Sequence, residues 1–345
     1  MGLSTSPSAA VLAVDAGNSK TDVALLAADG TVLGAARGGG FQPPQVGVRT
    51  AVDVLQDAVL RAFADAGLPP DARAEHVSAC LANADLPVEE EELAQAIDAR
   101  GWGGTTTVLN DTFAVLRAGL LEDAEPRGVA VVCGAGINCA GMLPDGRTAR
   151  FPAIGKLSGD WGGGGGLAEE ALWFAARAED GRGEPTGLMR ALPAHFGLET
   201  MYELIEGFHL GRIPYPRRHE LTPVLFSVAA AGDEVADALV ARMAEEVVAL
   251  STVALRRLDL LGEEAPVLLG GGILAAGHPG LNGRIVRLLA ERAPHAVARV
   301  VAERPVLGAA LLGLDHLRLP TSAHDRARAH WAGPRQVPRQ EVPVA

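Results

Sequence analysis

Residues 11–23 read VLAVDAGNSKTDV: a short apolar run, Asp15, a polar loop from Gly17 to Thr21, and a second acid at Asp22. The Lys20-Thr21 pair resembles the end of a phosphate loop. That loop, however, has the spacing G-x-x-x-x-G-K-[ST] and leads from a strand into a helix. Here there is one glycine, and the following DVALLA (22–27) has the composition of another strand. The stretch therefore predicts a strand–loop–strand hairpin. Such a turn presents backbone amides, Asn18, Ser19, Lys20 and Thr21 to an anion, and an acid at the strand end suits a hydrated Mg²⁺. Gly17-Asn18 reads equally well as a plain hairpin turn with solvated polar residues.

A turn at Asp29-Gly30 and the run TVLGAAR (31–37) extend the hairpin to a three-strand antiparallel meander. After a Gly/Pro-rich loop (38–47), Val52, Leu55, Val59 and Phe63 recur at helical spacing. HVSACLA (76–82) and TTTVLN (105–110) predict strands, with a helix over 88–101 whose acidic first turn suits its dipole. The pattern then restarts: GVAVVCG (128–134), NCAGML (138–143) and TARFPA (148–153) form a second meander. Ala-rich helices follow from 167 to about 260, then a buried strand at PVLLGGG (266–272) and a helix within 304–317. The repeated meander predicts two α/β domains, 1–118 and 119–319, the second with a helical insertion, and a cleft between them. Residues 320–345, rich in Pro and Arg and without periodicity, are expected to be a poorly ordered tail.

Composition narrows the function. The 345 residues are 48% hydrophobic with 42 glycines and 4% aromatics, which suits an α/β chain with many tight turns. A formal charge of −12 argues against nucleic-acid binding, whose affinity comes from Lys and Arg on phosphates. Three scattered cysteines, Cys80, Cys133 and Cys139, read as buried reduced thiols rather than disulfides or a zinc site. No uncharged run reaches the roughly 18 residues of a membrane span, and no basic segment precedes the first apolar run. A soluble, cytoplasmic protein is expected.

Three more stretches carry candidate chemistry. VVCGAGINCAG (131–141) matches the first hairpin in shape, a strand, a glycine turn and a strand, rather than a dinucleotide fingerprint leading into a helix. LNDTFAVLRAG (109–119) sets Asp111 at a strand end where a helix begins; it reads as an N-cap or as a general base at the mouth of an open sheet. In KLSGDWGGGGGLAEEAL (156–172), five glycines follow Asp160-Trp161, which allows close backbone approach or a hinge. The late glycines Gly270, Gly271 and Gly272 form either a tight turn or a nucleotide contact. No His motif for zinc and no G-x-S-x-G elbow is present.

Taken in order, VDAGNSKTD, NDTFAVLRAG, VVCGAGINC, GKLSGDWGGGGG, PVLLGGG and PVLGAALLG resemble the successive motifs of the BadF/BadG/BcrA/BcrD ATPase family, and more narrowly its N-acetylglucosamine kinase branch, over about residues 10–317. The resemblance implies two RNase H-like domains of the actin/hexokinase type acting on Mg-ATP and a sugar, in a homodimer. It implies Asp15 at the Mg²⁺, and Gly17, Asn18, Ser19, Lys20 and Thr21 as the first phosphate hairpin. Asp111 would be the base for the sugar hydroxyl, which the resemblance to this branch gives as O6. Gly134, Ala135 and Gly136 would make the second hairpin, Asn138 and Asp160 would contact the sugar, and Gly270–Gly272 the adenosine. Two departures touch the sugar: Ala135 and Ile137 replace hydroxyl-bearing residues of the usual second hairpin, and Gln42 stands where an Asn is usual. Two rival readings are an ATPase activator of 2-hydroxyacyl-CoA dehydratases and a non-catalytic sugar or nucleotide sensor. The activator needs an interfacial Cys for a shared [4Fe–4S] cluster, and the glycine segment has none.

Overall fold

The computed structural model describes residues 9–121 and 125–332. Among the described residues, ten strands form two five-stranded mixed sheets. The first contains β1 (Val11–Ala16), β2 (Thr21–Leu26), β3 (Val32–Gly38), β4 (Ala74–Leu81) and β5 (Gly103–Asn110), in the order β3-β2-β1-β4-β5. The predicted meander is there: β1 pairs antiparallel with β2 and β2 with β3, while β4 and β5 run parallel to β1. The second contains β6 (Gly128–Cys133), β7 (Ile137–Met142), β8 (Thr148–Arg150), β9 (Ala265–Gly270) and β10 (Ala296–Val300), in the order β10-β9-β6-β7-β8. Strand β10 was not anticipated. Its AVARV sequence lies half-exposed at a sheet edge, so it lacks the buried apolar run that marks β9.

Strand β1 is buried along its whole length because both faces of its sheet are covered. Leu12, Val14 and Ala16 face a core built on the helix Val48–Asp65. Val11 and Ala13 face a second core built on the helix Pro305–His316. Close approach on that side depends on Gly313, whose added Cβ would stand 3.1 Å from Ser78 Cβ. It also depends on Gly308, which leaves no room for a side chain against the Ala114 carbonyl.

Contacts divide the chain into two compact units that are discontinuous in sequence. One holds the described residues up to 130, 140–152 and those from 301 onward; the other holds 131–139 and 153–300. The repeat suggested contiguous halves at 1–118 and 119–319. The segment from 301 returns to the first unit because Pro305–His316 is apolar on nearly every side and fills the Val11 face of β1.

The C-terminal segment also departs from expectation. Thr321–Trp331 is a helix, not a poorly ordered stretch, with Ala323 and Ala327 buried in the core of the first unit. Two buried alanines carry that contact, with Trp331 packed at its edge, too faint a pattern for periodicity to reveal. Residues 333–345 of the expected tail lie outside the described residues.

Candidate active site

In the first unit, Asp15 and Asp111 come from the carboxyl ends of parallel strands. Asp15 pairs in register with Asp22 on one side and Cys80 on the other, and Cys80 with Leu109. Asp111 lies two residues beyond Leu109, at the first position of the helix Asp111–Gly119. Open α/β sheets bind ligands at this edge.

The cap question has a definite answer. Asn110 caps the helix, its Oδ1 accepting from the Thr112 amide at 2.9 Å, and its Nδ2 donates to Asp85 at 2.8 Å. Asp111 is thereby spared the capping role. Burial raises its carboxyl to about 6, opposed by amides of its own first turn. Asp15, only 8% exposed, has no hydrogen-bond or ion-pair partner among the described residues. Burial first, then the negative charges of Asp111 and Asp22, lift it to about 8. Asp22 is engaged by Arg37 through two bonds of 2.7 and 3.0 Å. Asp15 is thus the acid of this hairpin without an ion pair, the charges of Lys20 and Arg37 opposing its upward shift only in part.

The loop between β1 and β2 is a tight turn closed by the Gly17 amide donating to Lys20 O at 2.8 Å. It is braced from behind. Thr21 Oγ1 donates to Gly39 O at 2.9 Å, the Phe41 amide donates to Gly17 O at 2.9 Å, and Asn83 Nδ2 donates to Asn18 Oδ1 at 3.0 Å. Asn18, Ser19 and Lys20 remain exposed. Gln42 uses its amide nitrogen to donate to Asn18 O at 2.9 Å, so the loop's sugar candidate also supports the turn. Asn83, at φ 62, was missed by sequence reading; its position in the Asn-Ala-Asp turn after β4, where Asn tolerates left-handed backbone, was the available signal.

In the second unit, the turn between β6 and β7 is closed by the Gly134 amide donating to Gly136 O at 3.0 Å. The five-glycine run packs directly on it. Gly163 to Gly166 open the helix Gly163–Glu179, and the amides of Gly164 and Gly165 donate to Gly134 O and Ala135 O at 2.8 and 2.9 Å. Two amides otherwise orphaned at a helix N-terminus are satisfied by the hairpin. The run is a docking surface, with Gly163 at φ 69 and without space for a Cβ against Gly136.

A cavity of about 350 Å³ opens beside this turn, lined by Gly134, Ala135, Gly164 and Gly272. Its apolar wall comes from Pro223, Phe226, Ile273 and Ala276, with Thr222, His219 and His278 adding polar groups. Thr222 is spent on Gly164 O at 2.8 Å, and His278 stacks on Phe226 at 4.0 Å with burial lowering its basicity. Gly134, Gly136 and Gly272 have open space where a Cβ would be, so the protein's own packing does not require their lack of a side chain. Gly271 differs: at φ 82 its Cβ would stand 2.7 Å from Cys133 N, so it serves the seating of the turn on β6. Gly270 ends β9 in extended conformation. Thr222, Phe226 and His278 were not anticipated, because in sequence they read as helix and turn residues without local motif.

Asn138 lies on β7 with its Oδ1 accepting from the Cys139 amide at 2.7 Å. Asp160 closes the loop 155–160, its Oδ2 accepting from the Gly155 amide at 3.0 Å and from Ser158 Oγ at 2.5 Å.

The profile of the BadF/BadG/BcrA/BcrD ATPase family matches residues 12–313. The chain belongs to that family. It is 26% identical over 269 residues to the N-acetylmuramic acid/N-acetylglucosamine kinase of Clostridium acetobutylicum, covering 76% of this chain and 85% of that one. It is 26% identical over 244 residues to the N-acetyl-D-glucosamine kinase of Dictyostelium discoideum, covering 69% and 75%. The crystal structure of a candidate N-acetylglucosamine kinase from Chromobacterium violaceum superposes with a TM-score of 0.67 at 25% identity, over 89% of this family member and 99% of that chain. Two mixed five-stranded sheets are thus the two-domain fold of sugar kinases and actin-like ATPases.

Proposed function

We propose that this family member is an ATP-dependent kinase of N-acetylglucosamine or a related amino sugar, transferring the γ-phosphate to a sugar hydroxyl, O6 by the family resemblance. The observation that carries the reading is the state of Asp111: a carboxylate at the ligand-binding edge of the sheet, relieved of capping by Asn110, with its pKa near 6. The names of the Clostridium and Dictyostelium relatives agree with it.

The chemistry follows from these residues. Asp111, ionised at neutral pH yet close to it in pKa, accepts the proton of the attacking hydroxyl. A new O–P bond forms as the bond from the γ-phosphorus to the β–γ bridging oxygen breaks, and ADP leaves. The amides of the Gly17–Lys20 and Gly134–Gly136 turns suit the phosphates, as glycine-rich turns without obstructing side chains do. The 350 Å³ cavity beside Gly134 and Gly272 suits adenosine, with its apolar Phe226–Ile273 walls. Asn138, Asp160 and Gln42 are the sugar candidates.

The residues fit a magnesium ion. Asp15 is a buried carboxylate without a partner, and among the described residues no group of three or more His, Cys, Asp and Glu forms a protein-only cage. Mg²⁺ characteristically takes one or two carboxylates plus waters and substrate phosphates. Asp15 would hold it, and when bound it would offset the phosphate charge.

The activator reading has less support: Cys80, Cys133 and Cys139 are all buried, leaving no exposed thiol for a cluster shared between chains. No described helix is long and apolar enough to cross a membrane. A cytoplasmic location and a homodimeric assembly are further parts of this proposal. The test is ADP release with Mg-ATP over a panel of amino sugars and hexoses. Turnover highest with an N-acetylated amino sugar is expected; binding of a sugar without turnover of any would favour the sensor reading.

A further inference from the structure

The helix that begins at Asp111 ends in an unusual density of cationic contacts from the C-terminal helices. Arg117, 5% exposed, donates to both oxygens of Asp315 at 2.7 and 3.1 Å. Asp315 also pairs with His324 Nε2 at 2.8 Å. From the helix Thr321–Trp331, Arg328 donates to Ala118 O at 3.1 Å and Arg117 O at 3.5 Å. Those carbonyls belong to the last turn of Asp111–Gly119, where a helix leaves acceptors unsatisfied and favours positive charge. The same C-terminal helix is tied to the meander: Arg326 pairs with Asp29, and Gly30 leaves no room for a side chain against the Ala323 backbone. Gly308, pressed on Ala114, fixes the spacing between Pro305–His316 and the Asp111 helix. One element therefore touches both the β2–β3 turn of the meander that includes the Asp15 strand and the helix that carries Asp111.

We propose that Asp315 and Arg328 are positioning residues for the phosphoryl transfer, holding the Asp111 helix at the height and rotation that place the Asp111 carboxylate. The inference rests on the reading of Asp111 as general base. A helix is stiff along its axis, so a shift at its C-terminal turn is delivered to its first residue, seven positions before Ala118. Base catalysis tolerates such shifts poorly, whereas the binding of nucleotide and sugar by other residues tolerates them better. The buried Arg117 is the connecting group; truncating either member of its pair with Asp315 leaves a charge uncompensated, so Asp315→Asn keeps shape and a hydrogen-bond acceptor, and Arg328→Met leaves the pair intact.

The experiment uses the full chain. Asp315→Asn and Arg328→Met are measured for steady-state kinetics with Mg-ATP and the best sugar of the panel, alone and combined with Asp111→Asn, with folding followed by circular dichroism. The expected result for each single variant is a fall in kcat of about tenfold with both KM values within about twofold. Arg328→Lys should recover most of the loss. Because the residues act through Asp111, adding either substitution to Asp111→Asn should lower its residual turnover by less than about twofold. A loss of the same factor in both backgrounds, a rise in KM with kcat unchanged, or wild-type kinetics in both single variants would overturn the proposal. If Asp111→Asn itself keeps wild-type turnover, the reading of Asp111 fails instead, and that outcome is separately visible.

Discussion

Gly163 stands so close to Gly136 that a Cβ on it would lie 2.5 Å from the Gly136 Cα. The glycine run is thereby fixed to the turn between β6 and β7, and its amides are consumed by the carbonyls of Gly134 and Ala135. Gly163→Ala must displace that turn and also place Ala at φ 69. We expect a loss of roughly 1–3 kcal/mol in stability together with a raised KM for ATP. Gly166→Ala is the control, since nothing lies within 4 Å of its added Cβ. It should be neutral or stabilising by up to about 1 kcal/mol, because glycine costs helix stability. Thermal melts and ATP titrations on the two variants decide between docking surface and hinge.

Asp111→Asn preserves shape and removes the proton acceptor. Turnover should fall by about 10²–10⁴-fold with KM values changed little. In the wild type, kcat should rise with pH through about 6 and level above it, because the proposed base must be ionised to act and burial holds the Asp111 carboxyl near that value. The residual rate of the variant should lack that limb. A pH profile of both proteins settles the point.

Asp15 makes an opposite kind of prediction, about stability. In the folded chain without metal or nucleotide it keeps its proton to about pH 8, against 3.8 for an unburied carboxyl. Between those values the folded state carries a proton that the unfolded state has released, so this group's contribution to stability is complete below pH 4 and is lost as pH rises towards 8. Asp15→Asn removes that loss. The variant should melt higher than the wild type at pH 8, by on the order of a few kcal/mol, and nearly equally at pH 4. Its activity should nevertheless be severely reduced. Melting curves across pH in chelator, beside kinetic assays, test both halves.

Gly272→Val probes the cavity beside the second hairpin. Space is open where its Cβ would go, and its backbone is not in the left-handed region. The added isopropyl group should therefore leave the melting temperature within about 2 °C while occupying the cavity wall proposed for adenosine. An increase of about tenfold or more in KM for ATP, with KM for the sugar unchanged, is the expected result. Equal ATP affinity in the two proteins would place the nucleotide elsewhere.

Much of this protein is legible in its sequence because the deciding signals are local. Alternation in 11–37 and 128–150, with turns at Asp29-Gly30 and Asp145-Gly146, specifies two hairpin meanders whatever surrounds them. The strand after Lys20-Thr21 alone rules out a helical phosphate loop, and the order of short motifs places Asp15, Asp111 and both glycine turns in one family. Tertiary structure decided what depends on distant partners. Whether Asp111 capped its helix hinged on Asn110, one residue earlier but held by Asp85 from another loop. The cavity wall of Phe226 and His278 has no local signature, because apolar residues facing a ligand and apolar residues facing a core are the same residues. The helix Thr321–Trp331 hid for a related reason: two alanines, the edge of Trp331 and a few polar contacts dock it on a surface that already exists. Local pattern sets which element forms, since backbone preference and side-chain periodicity are properties of neighbours in the chain. Which charge stays unpaired, and which glycine must be glycine, is set by groups that meet only after folding.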